Sequence, residues 1–365
     1  MSANHSPKRD EAVATRYWHA LPDGRVQCDV CPRACRMHAG QRGLCFVRGV
    51  EAGAVQLYTY GRSSGFCVDP IEKKPLYHFH PGSAVLSFGT AGCNLACKFC
   101  QNWDMSKSRE MDTLMDAASP AALAVAAAEL GCSSIAYTYN DPTIFMEYAL
   151  DVAAAAHARG VQSVAVTAGY MCPQPRAEFF AAMDAANIDL KGFSQDFYRK
   201  VCGAELDAVL ETLEYVHRET RVWLEVTTLL IPGHNDSDAE LEAMAAWYAE
   251  HLGPEVPWHF SAFHPDWKMR DVPRTPLATL QRARRIARAH GLRYVYTGNV
   301  RDLEGGATLC HACQAPLIAR DGYTITDWNL TPAGDCPRCG TRCAGHFAAA
   351  PGQWGSRRAV VRLSA

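Results

Sequence analysis

Residues 87–100 read Ser87-Phe88-Gly89-Thr90-Ala91-Gly92-Cys93-Asn94-Leu95-Ala96-Cys97-Lys98-Phe99-Cys100, and they decide how the rest of the chain is organised. The apolar run AVLSFG at 84–89 has the length and residue types of a buried strand, so the cysteines fall in the loop that leaves it. A loop at the C-terminal end of a strand lies on the active face of a parallel α/β barrel. Three thiolates can ligate three irons of a [4Fe–4S] cluster and leave the fourth open to a cofactor or substrate. Zinc is the competing reading, but it would want a fourth protein ligand.

Outward from this loop, strand-like and helix-like segments alternate. After helix 120–130 come SSIAYTY (133–139), helix 142–159 and VQSVAVT (161–167). Helix 175–186, NIDLKGF (187–193), helix 205–219 and VWLEVTTLLI (222–231) follow, then helix 238–252, WHFSAF (258–263), helix 276–290 and LRYVYTG (292–298). Such alternation implies right-handed βαβ units and a parallel sheet. Seven strand candidates would close, or nearly close, a TIM-like barrel, with an open doubly wound sheet as the alternative. No G-x-G-x-x-G follows a strand and no G-x4-G-K-[ST] occurs, so nucleotide binding in those two styles lacks support. The pattern predicts an N-terminal Cys-rich segment at 1–83, an α/β core at 84–304 and a C-terminal module at 305–365.

Composition agrees with a globular chain of 365 residues, 48% hydrophobic and 20% charged. A net charge of −2 argues against a broad phosphate-binding surface and so against a nucleic-acid partner. No run of about 18 apolar residues suggests a membrane span, and the opening MSANHSPKRDEA lacks the apolar core of a signal peptide. The expected compartment is the cytoplasm, where thiols stay reduced. Eleven of the sixteen cysteines nonetheless fall in tight groups, as chelation of metal would require. Cys67, Cys132, Cys172 and Cys202 are expected to be small buried side chains.

Two further groups flank the core. Cys28, Cys31, Cys35 and Cys45 supply four thiolates within eighteen residues, enough to complete the shell of an auxiliary iron–sulfur cluster or of a zinc ion. Cys310-x2-Cys313 and Cys336-x2-Cys339 are separated by 22 residues and resemble a zinc ribbon, with Cys343 and His346 as nearby competing ligands. A module this small would need its metal to stay folded. Between the first group and the core, DPIEKKPLYHFHPGS (69–83) reads either as a solvated, proline-stiffened linker or as a loop over the barrel mouth.

C-x3-C-x2-C with an aromatic residue, Phe99, before the last cysteine resembles the radical S-adenosylmethionine (SAM) signature. The resemblance implies that the open iron chelates the amino and carboxylate groups of SAM, and that reductive cleavage yields a 5′-deoxyadenosyl radical. It extends along the chain through CDVCPRACRMHAGQRGLCFVRG, DPIEKKPLYHFHPGS, YTYNDPTIFMEY, DLKGFSQDFYRKVCGA, LLIPGHNDS, AFHP and VYTGN. In that order these look like the radical SAM member of the AmmeMemoRadiSam system, a relative of the pyruvate formate-lyase activating enzymes. The implied fold is a partial (βα)6 TIM-like barrel.

The same resemblance puts Asn140 and Asp141 near the SAM amino group, although the family's usual glutamate is aspartate here. It puts Asp189 and Lys191 at the SAM carboxylate, Thr167 at the end of the third strand, and His264 near the adenine or ribose. It also implies an electron donor such as flavodoxin or ferredoxin, and the other AmmeMemoRadiSam proteins as partners. Three functions compete: a radical SAM oxidoreductase or lyase, an activase installing a glycyl radical on a partner protein, and a metal-knuckle nucleic-acid-binding protein.

Overall fold

A computed structural model describes residues 12–107 and 116–363; the polar opening at 1–11 lies outside the described residues. Seven strands, Ala84–Phe88, Ser134–Tyr137, Gln162–Thr167, Ala185–Asp189, Trp223–Leu230, Trp258–Ala262 and Val295–Gly298, pair in chain order and all in parallel. Unbroken chain order means that every crossover returns on the same side, whereas a doubly wound sheet reverses its order at a switch point. The sheet therefore curls with its helices outside, and the doubly wound alternative is excluded. It does not close, because Val295–Gly298 is one edge of the sheet and Ala359–Val361 is the other. Two antiparallel strands extend the near end: Phe66–Pro70 pairs with Ala84–Phe88, and Ala359–Val361 pairs with Phe66–Pro70.

Local chemistry accounts for the helices. Ser119 accepts from Ala122 N–H with Pro120 at the first helical position, and Ser237 accepts from Glu240 N–H, so Pro120–Glu129 and Asp238–His251 begin where caps stand. Leu206–Glu219 buries Leu206, Val209, Leu213 and Val216, a single stripe at helical spacing. Several expected boundaries move. Helix 142–159 opens with a 3-10 turn, Pro142–Phe145, before Met146–His157, and helix 175–186 is Pro173–Ala181. The fourth strand ends at Asp189 rather than 193, so Lys191 lies in the loop beyond it, its backbone N–H donated to Tyr198 Oη at 3.0 Å.

The segment 69–83 fills the barrel, which overturns the reading as a solvated linker; it lies beneath the mouth rather than over it, yet its Lys73, Lys74 and Pro75 reach the cavity there. Inside the first four strands Val85, Ala136, Val164 and Ala185 are too small to meet across the interior, and Ile71, Leu76 and Phe79 occupy the space. Further round, Asn187 Nδ2 donates to Pro75 O at 2.8 Å. Glu225, fully buried on the fifth strand, accepts from the backbone N–H groups of Tyr77 (2.9 Å) and His78 (2.8 Å) and lies 2.7 Å from His259 Nε2. Burial alone would raise this carboxyl, but His259, His78 and Trp223 around it hold it below its ordinary value.

Both ends of the chain dock on this core. Arg48, from the Cys-rich segment, is buried against Glu147 of the helix Met146–His157, with Nη1 3.1 Å from Oε1 and Nε 2.8 Å from Ile144 O. The C-terminal hairpin, Pro316–Asp321 with Thr324–Trp328, shares an apolar cluster with Tyr77, Tyr294 and Tyr296. Buried Arg320 donates to Gly306 O, Thr308 Oγ1 and Tyr77 O. The module thus borrows a core from the barrel, and its first strand, Thr308–Leu309, pairs with the hairpin. Among the described residues no helix is long and apolar enough to cross a membrane.

The Arg48–Glu147 pair gives a stability prediction. Glu147→Ala leaves a guanidinium buried without its partner and should cost about 3–5 kcal/mol in chemical denaturation. A loss within 0.5 kcal/mol would mean that the Cys-rich segment does not depend on this anchor.

Candidate active site

The C-terminal ends of the parallel strands surround a cavity of about 650 Å³, and Cys93, Cys97 and Cys100 all line it. The loop that carries them is held from several sides. Ala96 and Lys98 N–H donate to the carbonyls of Cys202 and Val201 in a turn of π-helix, Tyr198–Cys202, and Asn94 Nδ2 donates to Tyr170 O. Gly92 has φ +81°, and a Cβ there would stand 2.0 Å from the Cys45 carbonyl oxygen, so only glycine lets the two cysteine-bearing segments touch.

The thiols differ. Burial pushes Cys93 up to about 12. Cys97 is held down at about 6 by a hydrogen bond from Cys202 and, against burial, by the ammonium groups of Lys191 and Lys107. Cys202, expected to be structural, is indeed fully buried, but it lies beside a ligand-type thiol. Cys67 and Cys132 are buried too, whereas Cys172 is half-buried.

Most of the polar residues named from sequence line the same cavity, in distinct roles. Asn140 is a clamp on the cysteine loop: its Oδ1 accepts from Thr90 N–H at 3.1 Å and its Nδ2 donates to Gly92 O at 2.8 Å. Asp141 and Thr167 bond to each other at 3.1 Å, and Asp141 also accepts from Thr143 and Ala168 N–H, which ties the second loop to the third strand. Asp189 and Lys191 form an ion pair of 2.7 Å. Burial disfavours the Lys191 charge, yet Asp189 and Cys97 raise it well above its ordinary value, so it stays an ammonium. Phe99 stacks near Phe197, its ring 5.9 Å from Lys191 Nζ. His264 is half-buried after the sixth strand and does not line the cavity.

Sequence reading missed several other lining groups. Lys73 and Lys74, from the plug, both reach Asp69 at 2.8 Å, and Tyr139 donates to the same carboxylate. Tyr323 and Arg358 arrive from the C-terminal region, which no local pattern could have placed here. Thr227, two residues beyond Glu225 and so on the same inner face, has its buried Oγ1 without a hydrogen-bond partner among the described residues. Three thiols, the ammonium groups of Lys191 and Lys74 and an unsatisfied hydroxyl facing one space fit a cluster and a polar cofactor together.

The flanking groups differ in geometry. Cys310, Cys313, Cys336 and Cys339 present sulfurs all within 4.8 Å of one another, two pairs at 3.6 Å. Bonds of about 2.3 Å from one tetrahedral ion put sulfurs about 3.8 Å apart, so this set suits a single zinc. Cys343 and His346 are not ligands of that set: Cys343 lies near Tyr294, and His346 exchanges backbone hydrogen bonds with His78 and His80. Cys28, Cys31, Cys35 and Cys45 line one small cavity of their own. About one zinc per chain should survive purification without iron, and Cys336→Ser with Cys339→Ser should remove it. Mass spectrometry of the intact metalloprotein checks this, and iron at that site would contradict it.

Residues 88–246 match the model of the radical SAM superfamily, a stretch that begins just before the cysteine loop. The chain is 39% identical over 327 residues to an uncharacterized protein of Methanocaldococcus jannaschii, covering 89% of this chain and 97% of that one. Among solved structures it is similar to a radical SAM methyltransferase from Sphaerobacter thermophilus, with 18% identity, a TM-score of 0.48, and 65% of this chain and 71% of that one covered. It is also similar to a domain of pyruvate-formate lyase-activating enzyme from Bacteroides vulgatus, with 15% identity, a TM-score of 0.41, and 46% and 99% covered. The chain thus carries a radical SAM superfamily domain over residues 88–246, and it belongs to one family with the Methanocaldococcus jannaschii protein.

Proposed function

We propose that this enzyme cleaves SAM reductively at a [4Fe–4S] cluster on Cys93, Cys97 and Cys100, and that the 5′-deoxyadenosyl radical abstracts hydrogen from a substrate in an oxidoreductase- or lyase-type reaction. The observation that carries the reading is the convergence of those three thiols with Lys191 and Asp189 on one cavity of about 650 Å³. Such a cluster, when bound, supplies the open iron and the electron.

The chain's own residues do the rest. Lys191, kept charged and oriented by Asp189, offers a charge-assisted contact to the SAM carboxylate. Asn140 fixes the loop that carries Cys93, and Thr227 offers an unused hydroxyl. Lys73 and Pro75 of the plug and Tyr323 of the C-terminal hairpin wall the space. A second cavity of about 470 Å³ shares Lys73, Pro75, Ser261, Asn299 and Tyr323 with the first, which gives a small substrate a place beside SAM. That chamber favours a small substrate over the glycyl-radical activase reading. The motifs quoted above support placement in the AmmeMemoRadiSam system, with a flavodoxin or ferredoxin as electron donor in the cytoplasm.

Cys97→Ala should abolish formation of 5′-deoxyadenosine from SAM under reducing anaerobic conditions while leaving the C-terminal metal in place. Unchanged 5′-deoxyadenosine output would remove the basis of the proposal. Lys191→Ala should weaken SAM binding by about 1.5–3 kcal/mol in anaerobic isothermal titration. Unaltered affinity would make Lys191 a residue that serves only the protein's own packing.

A further inference from the structure

The Cys28 group lies against the candidate active site, and its geometry differs from that of the C-terminal ribbon in a way that identifies its metal. Among the described residues, only the ribbon's four sulfurs gather within 4.8 Å of one another as a metal-ligand set. Cys28, Cys31, Cys35 and Cys45 instead stand around a cavity. Sulfurs on the four irons of a cubane must be farther apart than sulfurs on one ion, because the iron–sulfide core lies between them.

The walls of the cavity suit an anionic centre. Buried Arg48 lines it, and so does Arg33, whose Nη2 is buried without a hydrogen-bond partner among the described residues. Gly43 also lines it, where an added Cβ would stand only 3.4 Å from Cys35 Sγ.

Position gives the centre a task. On one side Leu44 lines the cavity and is 41% exposed, an apolar surface point beside the thiols. On the other side the Cys45 carbonyl abuts Gly92, next to Cys93, and Asn94 lines the cavity while its carbonyl accepts from Arg33 Nε at 3.0 Å. The two cysteine groups are therefore joined by direct backbone contact.

We infer that Cys28, Cys31, Cys35 and Cys45 hold a second [4Fe–4S] cluster that relays single electrons from an external low-potential donor to the cluster on Cys93, Cys97 and Cys100. The donor's reduced flavin or iron–sulfur centre loses one electron, the Cys28-group cluster gains it and then returns to its oxidised form as the inner cluster is reduced. No atom or proton changes hands. The relay rests on the proposed function; the identity of the cluster does not.

Two sets of variants test this. Cys93→Ala, Cys97→Ala and Cys100→Ala combined should still bind about four irons and four sulfides per chain after anaerobic reconstitution, with an electron paramagnetic resonance signal unaffected by SAM. Zinc in place of that iron, or no metal, overturns the assignment. Cys45→Ser alone, and Cys28→Ser with Cys31→Ser, should lower iron from about eight to about four per chain, with retained ribbon zinc reporting a folded protein. With reduced flavodoxin as donor these variants should lose 5′-deoxyadenosine formation by roughly tenfold or more, and dithionite should restore it. Full activity with flavodoxin overturns the relay, whereas no SAM cleavage by the wild-type chain with either reductant would count against the proposed function and leave the cluster standing.

Discussion

The carboxylate of Glu225 is the interaction on which the rest depends. An open half-barrel with small inner residues has a void, and this chain fills it with its own segment 69–83. Backbone driven into an apolar interior brings amide groups that must find partners, since an unpaired buried donor costs about 1–3 kcal/mol. Glu225 takes two of them, from Tyr77 and His78, and its own charge is compensated by His259. Asn187 performs the complementary task by donating to Pro75 O. Without these inward polar groups the plug could not enter, and without the plug the sheet would surround empty space.

The plug also sets the depth of the active cavity. Its Lys73, Lys74 and Pro75 form part of the cavity's lining. Burial draws the Lys74 ammonium down to about 8 even though Asp69 is its partner. Along the fifth strand, Glu225 faces the plug and Thr227 and Leu229 face the cavity, so one alternating row serves both floor and chamber. The C-terminal module belongs to the same unit. Tyr77 packs on Tyr296 and under Arg320, and the hairpin that carries Arg320 places Tyr323 at the cavity wall.

Much of this was legible in the sequence. The seven apolar runs became the seven parallel strands, and the Cys93–Cys100 loop fell at a strand C-terminus, because both are local patterns that burial enforces. The plug was hidden by its composition: Glu72, Lys73, Lys74 and two histidines read as solvent-facing, and only the barrel supplies the partners that let them be buried. Small residues at Val85, Ala136, Val164 and Ala185 were the available signal that something else had to fill the interior. Asn140 and Asp141 line the cavity, but their side chains are taken up by backbone groups and, for Asp141, by the Thr143 and Thr167 hydroxyls, which a motif cannot reveal. The sheet's two added strands were invisible because Phe66–Pro70 and Ala359–Val361 pair across nearly the whole chain.

That last pairing bears on the order of assembly. Contacts between residues so distant in sequence are slow to form, because closing the loop costs entropy before any contact repays it. The strand Phe66–Pro70 leads directly into the plug, and its outer edge is covered only once Ala359–Val361 arrives. During synthesis on the ribosome that edge would wait, with unpaired amides, while the barrel formed beside it. The N-terminal cysteine segment can therefore fold before the sheet is complete, and the chain's maturation becomes a contest between early local folding and late zippering.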